Sequence, residues 1–117
     1  MTTANLSIEE LKKRACETIE KRKKEIVGLA QQVLANPEAG FREVKTAKLV
    51  SEKFQELGIQ HESGLAITGL KGRIQGGAGP GPKVAVIGEL DSLVVTQHPH
   101  ADPDTGAAHA CGHHCQI

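Results

Sequence analysis

Lys83-Val84-Ala85-Val86-Ile87-Gly88-Glu89-Leu90-Asp91 is an almost unbroken apolar run that turns acidic at its end. A strand with one wet face alternates apolar and polar residues. A continuous run instead predicts a strand buried on both faces of a helix-covered sheet. The carboxylates at its end, Glu89 and Asp91, fall where open α/β sheets place their sites. The predicted fold class is therefore α/β.

Upstream of that run the pattern is helical. Ser7 and Glu10 have capping-box spacing, and Ile8, Leu11, Ala15, Ile19, Ile26, Leu29, Ala30 and Val33 recur at helical intervals, which predicts a helix over residues 8–35. Its basic run, Lys21-Arg22-Lys23-Lys24, sits among Glu17, Glu20 and Glu25 at pairing distances and reads as a solvated face. Asn36-Pro37 closes the helix, because a residue before proline is pushed out of the α region. A second helix is expected from about Arg42, with Val44, Ala47, Val50, Phe54 and Leu57 as its apolar stripe and Gly58 as its stop. Residues 59–63 and 66–75 read as short strands. Residues 76–82 have the composition of a turn; as a phosphate cradle they fail, since no Lys-Ser/Thr pair or helix follows. Residues 92–110, rich in Pro, His, Asp and Gly, are expected to form a loop at the sheet edge. No internal repeat or domain linker interrupts the chain.

Composition removes several classes of function. Lys plus Arg equals Asp plus Glu at 14 each, so no overall field draws in nucleic acid or an anionic membrane. Two Phe, with no Trp or Tyr, leave an aliphatic core. No segment approaches the ~20 apolar residues that span a bilayer, and the first ten residues lack an export signal, so a cytoplasmic, soluble protein is expected. Three cysteines, an odd number, argue for reduced thiols rather than a disulfide framework.

Soft donors crowd the last nine residues, His109-Ala110-Cys111-Gly112-His113-His114-Cys115-Gln116-Ile117. In an extended segment Cys111 and His113 leave the backbone on the same side, roughly 6–7 Å apart at Cα, so one ion can reach both. Thiolate with imidazole suits zinc or a related divalent ion better than calcium or magnesium. Gly112 lets the backbone pass close to that ion. His109 and His114 read as pocket wall or solvent-facing residues, Cys115 as a small buried hydrophobe, Cys16 as helix packing, and His98 and His100 as solvated loop residues. His61 carries no usable signal.

Four blocks of the chain, taken in order, resemble the M20 metallopeptidase family. They are Asn36-Pro37-Glu38-Ala39-Gly40-Phe41-Arg42-Glu43 with Lys45-Thr46-Ala47, the glycine-proline turn, the strand ending Glu89-Leu90-Asp91, and His109-Ala110-Cys111-Gly112-His113. More narrowly, the chain is similar to the amidohydrolase branch that cleaves N-acyl amino acids and related small amides or dipeptides. The resemblance implies a mixed-sheet, helix-flanked catalytic domain holding two divalent ions (Zn, Mn or Co), with Cys111 and His113 as metal ligands. It implies that Asp91 orients a ligand, and that Glu89, standing where relatives have Asp or His, is not one. Residues 1–117 are then the amino-terminal part of the catalytic domain. The general-base glutamate, further ligands and an inserted dimerisation or lid domain are expected beyond Ile117, the last of these making the full-length protein a homo-oligomer. Alone, the 117 residues are expected to be inactive, with an apolar edge exposed at the strand through residues 84–88. After the Cys-Gly-His this chain has His114, Cys115 and Gln116, where relatives have an acidic residue and another histidine. Two other classes remain open: a small metal-binding module using Cys111, His113, His114 and Cys115, and a metal-free interaction domain exposing sheet edges.

Overall fold

The computed structural model describes residues 6–77 and 79–117. Helix α1, Ile8–Leu34, starts as the sequence requires: the Ser7 hydroxyl accepts from the Glu10 amide and the Glu10 carboxylate accepts from the Ser7 amide. Its basic run is a paired surface, with Arg22 on Glu25 at 2.8 Å and Lys23 on Glu20 at 3.2 Å. The apolar stripe finds little to pack against. Residues 11–20 are all exposed, and only the last turns are covered, ending at the buried Val33.

Helix α2, Val44–Glu56, begins two residues later than the sequence suggests, because its cap comes from elsewhere in the chain. Glu43, at the N-cap position, makes no capping bond with its side chain. The Glu38 carboxylate does that work, accepting from the Lys45 amide (3.1 Å), the Thr46 amide (2.9 Å) and the Thr46 hydroxyl (3.1 Å). Negative charge at a helix N-terminus satisfies orphan N–H groups and complements the helix dipole. Glu43, itself buried, turns the other way and accepts from the Phe41 amide (2.8 Å) and the Thr68 hydroxyl (2.6 Å). At the far end Gly58 takes φ +68°, and its amide bonds the Gln55 carbonyl, a left-handed stop. Lys53 reaches back to Glu25 at 3.0 Å and ties the two helices together.

Strands β1, His61–Leu65, and β2, Gly69–Gly72, form an antiparallel hairpin packed on α2. Its turn sets Ala66 and Ile67 at φ 45° and 85°, uncommon backbone for a β-branched residue, and the Thr68 to Glu43 bond anchors it. A second antiparallel pair, β3 (Leu93–Val94) with β4 (Ala107–Ala108), lies inside the stretch expected to be only loop. The architecture is thus helix with two small antiparallel sheets, α and β elements in one chain.

The strand that decided the fold class does not form. Residues 81–90 carry no regular structure, and Val84, Val86 and Ile87 are 85%, 95% and 82% exposed. A strand exists only through its neighbours' hydrogen bonds, and the described residues offer this run none. What survives is one parallel bridge, Ala39 to Ser92, with the Ser92 amide donating to the Glu38 carbonyl at 2.8 Å. The mixed sheet expected from the sequence is correspondingly absent among the described residues. The buried apolar core is Val33, Ala107 and Ala108.

Removing a part-buried helix cap costs about 1–2 kcal/mol. Glu38→Ala is expected to lie at or above that range, read as a lowered urea midpoint at unchanged slope, with amide exchange accelerated first at Lys45 and Thr46. Exchange there at the wild-type rate would contradict the capping role.

Candidate functional site

The chain returns to the acidic segment at residues 89–91 through a turn at residues 109–112 and a single 3-10 turn, His113–Cys115, that packs against α1. Gly112 between the two donors adopts φ 80°, ψ 15°, so the Cys-Gly-His segment is not extended, as its spacing had suggested, but folded through a left-handed residue. The Cys111 thiol is exposed. His113 is held on both sides. Its Nδ1 lies 2.9 Å from the Asp91 carbonyl and 3.1 Å from Asp91 Oδ1, and its Nε2 lies 3.1 Å from Glu89 Oε2.

The atoms fix the hydrogen positions. A carbonyl and a carboxylate only accept, so Nδ1 bears hydrogen toward Asp91, and the Glu89 carboxylate draws a second hydrogen to Nε2. Burial penalises the His113 cation. The Asp91 backbone, the charges of Glu89 and Asp91 and the Asp91 side-chain bond outweigh that penalty and raise its pKa above the ordinary 6.5. Asp91, expected as an orienting group, is in contact with the expected ligand. Glu89, set aside in the sequence, touches it too. Its sequence signals were its place at the acidic end of the apolar run and its spacing two residues before Asp91, which puts both carboxylates on the same side of an extended backbone.

The other donors are arranged differently. His109 is buried at 7% exposure, its ring 5.3 Å from that of His114, and neither of its nitrogens has a hydrogen-bond partner. Desolvation, then the nearby His114 and His113, push its pKa below 6.5. Cys115, expected to be buried, is exposed, as is Cys16. His98 lines a small hollow with Thr96, Asp102 and Thr105, and His100 lies beside it, ring centroids 5.8 Å apart.

The residues fit a metal in part. Donor types suit zinc-like ions, and a histidine whose Nδ1 is fixed by a carboxylate presents Nε2 as its ligating atom. Among the described residues, however, no three His, Cys, Asp or Glu side chains are grouped to hold an ion. No described helix is long and apolar enough to cross a membrane.

No protein-family model and no solved structure matches the chain. Curated relatives do. Over 91 residues it is 34% identical to IAA-amino acid hydrolase ILR1-like 5 of Arabidopsis thaliana, covering 75% of this chain and 20% of the relative. Over 96 residues it is 33% identical to thermostable carboxypeptidase 2 of Saccharolobus solfataricus, 79% of this chain and 24% of the relative. Hippurate hydrolase of Campylobacter jejuni is 33% identical over 88 residues, 73% of this chain and 23% of the relative. The chain thus spans about a fifth to a quarter of the length of these relatives (20%, 24% and 23%).

The two perturbed histidines have opposite linkage. A raised pKa gives His113 a stabilising share that is fully present below the unfolded value of 6.5 and is lost as pH rises through its folded value. A lowered pKa gives His109 a share present above 6.5 and lost as pH falls through its folded value. In an NMR titration His113 is expected to titrate at higher pH than His109, and Asp91→Asn is expected to bring the His113 midpoint down. The reverse order of midpoints would refute this account of the clasp.

Proposed function

This chain belongs to the M20 family of amidohydrolases, matching their amino-terminal portion, and from that membership we propose that it contributes part of the metal site of a hydrolase acting on N-acyl amino acids or related small amides and dipeptides. The observation that carries the reading is the Asp91 clasp on His113 Nδ1, two residues after the exposed Cys111 thiol. Relatives named for hydrolysing an amino-acid conjugate, for hippurate hydrolysis and for carboxypeptidase activity support the substrate class.

In this reading Cys111 and His113 each supply one ligand. When bound, divalent ions supply Lewis acidity and a water acidic enough to ionise near neutral pH. The chain's own residues do the rest of the local work. Asp91 keeps the hydrogen of His113 on Nδ1 and holds the ring plane, so Nε2 is the atom offered to the ion. Glu89 lies 3.1 Å from Nε2, on the side from which that nitrogen would hold an ion, and a ligating His113 would be the neutral ring with its hydrogen on Nδ1. Cys111 serves as a thiolate ligand rather than a nucleophile. The proton-transferring carboxylate and the remaining ligands belong to chain outside these 117 residues, which correspond to the amino-terminal part of the catalytic domain, with the inserted domain elsewhere.

Equilibrium dialysis of the chain against zinc tests the site. Cys111→Ala and His113→Ala are each expected to weaken binding at least tenfold, and Asp91→Asn about 10–100-fold, as for other groups that orient a metal-bound histidine. Binding unaffected by Cys111→Ala or His113→Ala would overturn the assignment, and an ion lost instead on Cys115→Ala would point to a closed Cys/His module. With zinc present, these 117 residues are expected to release amine from N-acyl amino acids at the buffer rate. Sustained turnover would show that no outside base is needed.

A further inference from the structure

Helix α2 and the hairpin bring together a second pair of chemically matched side chains, on elements that take no part in the His-rich terminus. Ser51 Oγ lies 2.7 Å from Nε2 of His61, and His61 Nδ1 lies 3.1 Å from the Ile59 carbonyl oxygen. A carbonyl oxygen only accepts, so Nδ1 carries the ring hydrogen, and in the neutral ring Nε2 is the bare nitrogen. The serine hydroxyl therefore donates to His61. Phe54 meets the ring edge-on, centroids 5.2 Å apart, and restrains its plane. A nucleophile, a base and a group that orients the base stand in hydrogen-bonded series, the orienting group being a main-chain carbonyl.

Ser51 opens on a groove of about 410 Å³ between α2 and the hairpin. Val44, Ala47 and Ile67 give it apolar walls. Lys48 and Gln55, three residues before and four after Ser51, share its helix face and line the same groove, Gln55 bringing an amide donor and Lys48 an ammonium that lies 3.7 Å from the Glu52 carboxylate, which also lines the groove.

We propose that Ser51 and His61 form an acyl-accepting dyad for esters of short aliphatic acids with good leaving groups. Ser51 Oγ attacks the ester carbonyl carbon as its proton passes to His61 Nε2, and the carbonyl π pair moves onto oxygen, faced by Lys48 and Gln55. Collapse breaks the bond to the leaving oxygen, which takes the proton from Nε2, and the acyl group stays on Ser51. Water repeats the sequence: its proton goes to Nε2, its oxygen to the carbonyl carbon, and Ser51 leaves as the alcohol. Ester and water become acid and alcohol, with no metal involved.

The test is incubation of the chain with p-nitrophenyl butyrate in excess chelator, which keeps metal-dependent hydrolysis out, so that failure here leaves the preceding function untouched. One butyryl group on Ser51 by mass spectrometry is expected, absent in Ser51→Ala, and His61→Gln is expected to slow acylation about 100-fold, the scale of general-base catalysis. An unmodified wild-type chain, a label on another residue, or His61→Gln within twofold of wild type would overturn the proposal. A second measurement guards against loss of the hairpin in these variants: Ser51→Cys is expected to react with iodoacetamide at that position at least tenfold faster than the same variant carrying His61→Gln. Equal rates would equally overturn it.

Discussion

Glu38 joins three parts of the molecule at once. Its carboxylate closes the N-terminus of α2 through the Lys45 and Thr46 amides, while its own carbonyl accepts the Ser92 amide. The start of a helix, the loop leaving α1 and the segment next to Asp91 are thereby pinned to one residue. Charge-assisted bonds are the strong ones, and this carboxylate makes three. Because Asp91 in turn holds His113, the position of that ring traces back to a capping carboxylate 75 residues earlier in the chain. The block Asn36 to Glu43 is accordingly scaffold rather than chemistry: its two glutamates face opposite ways, Glu38 into the helix end and Glu43 into the hairpin turn.

How much of this was legible depended on whether the signal was local. Helix α1 is announced by a cap and a period within the same stretch, and it forms within a residue of the expected bounds. The start of α2 slips because its cap lies outside the window in which one looks for it. The two short strands expected over residues 59–63 and 66–75 form at His61–Leu65 and Gly69–Gly72, paired as a hairpin that was not foreseen, and nothing in Ala66 and Ile67 signals a turn with positive φ. The apolar run at Val84 states what kind of surroundings a strand there needs without supplying them. In the candidate site, Cys111, His113 and Asp91 stood out by type and order. The contact of His113 with Asp91 could not be read, since it depends on the fold of Gly112. Ser51 and His61 gave no sign at all, each being unremarkable until α2 and β1 are packed together.

A shortage of covered apolar surface runs through the whole molecule. Ile8, Leu11, Ile19 and Ile26 on α1, and Val84, Val86 and Ile87 beyond the hairpin, face solvent, while among the described residues the buried apolar ones are Val33, Ala107 and Ala108. At about 25 cal/mol per Å² of apolar area removed from water, burying such side chains is the main favourable term in folding. Hydrogen-bonded caps and ion pairs recur along the described chain instead, from the Ser7 box to the Lys53 to Glu25 tie.

Gly112 separates a thiol from an imidazole and sits at φ 80° with nothing within 4 Å of where a side chain would begin. A Cβ at this position meets no atom, so the first effect of a replacement is on torsion: Asn or Asp, tolerant of left-handed backbone, would keep the bend, and a β-branched residue would open it. The spacing of the Cys111 thiol and the His113 ring can thus be adjusted like the jaw of a wrench, through one torsion that belongs to neither.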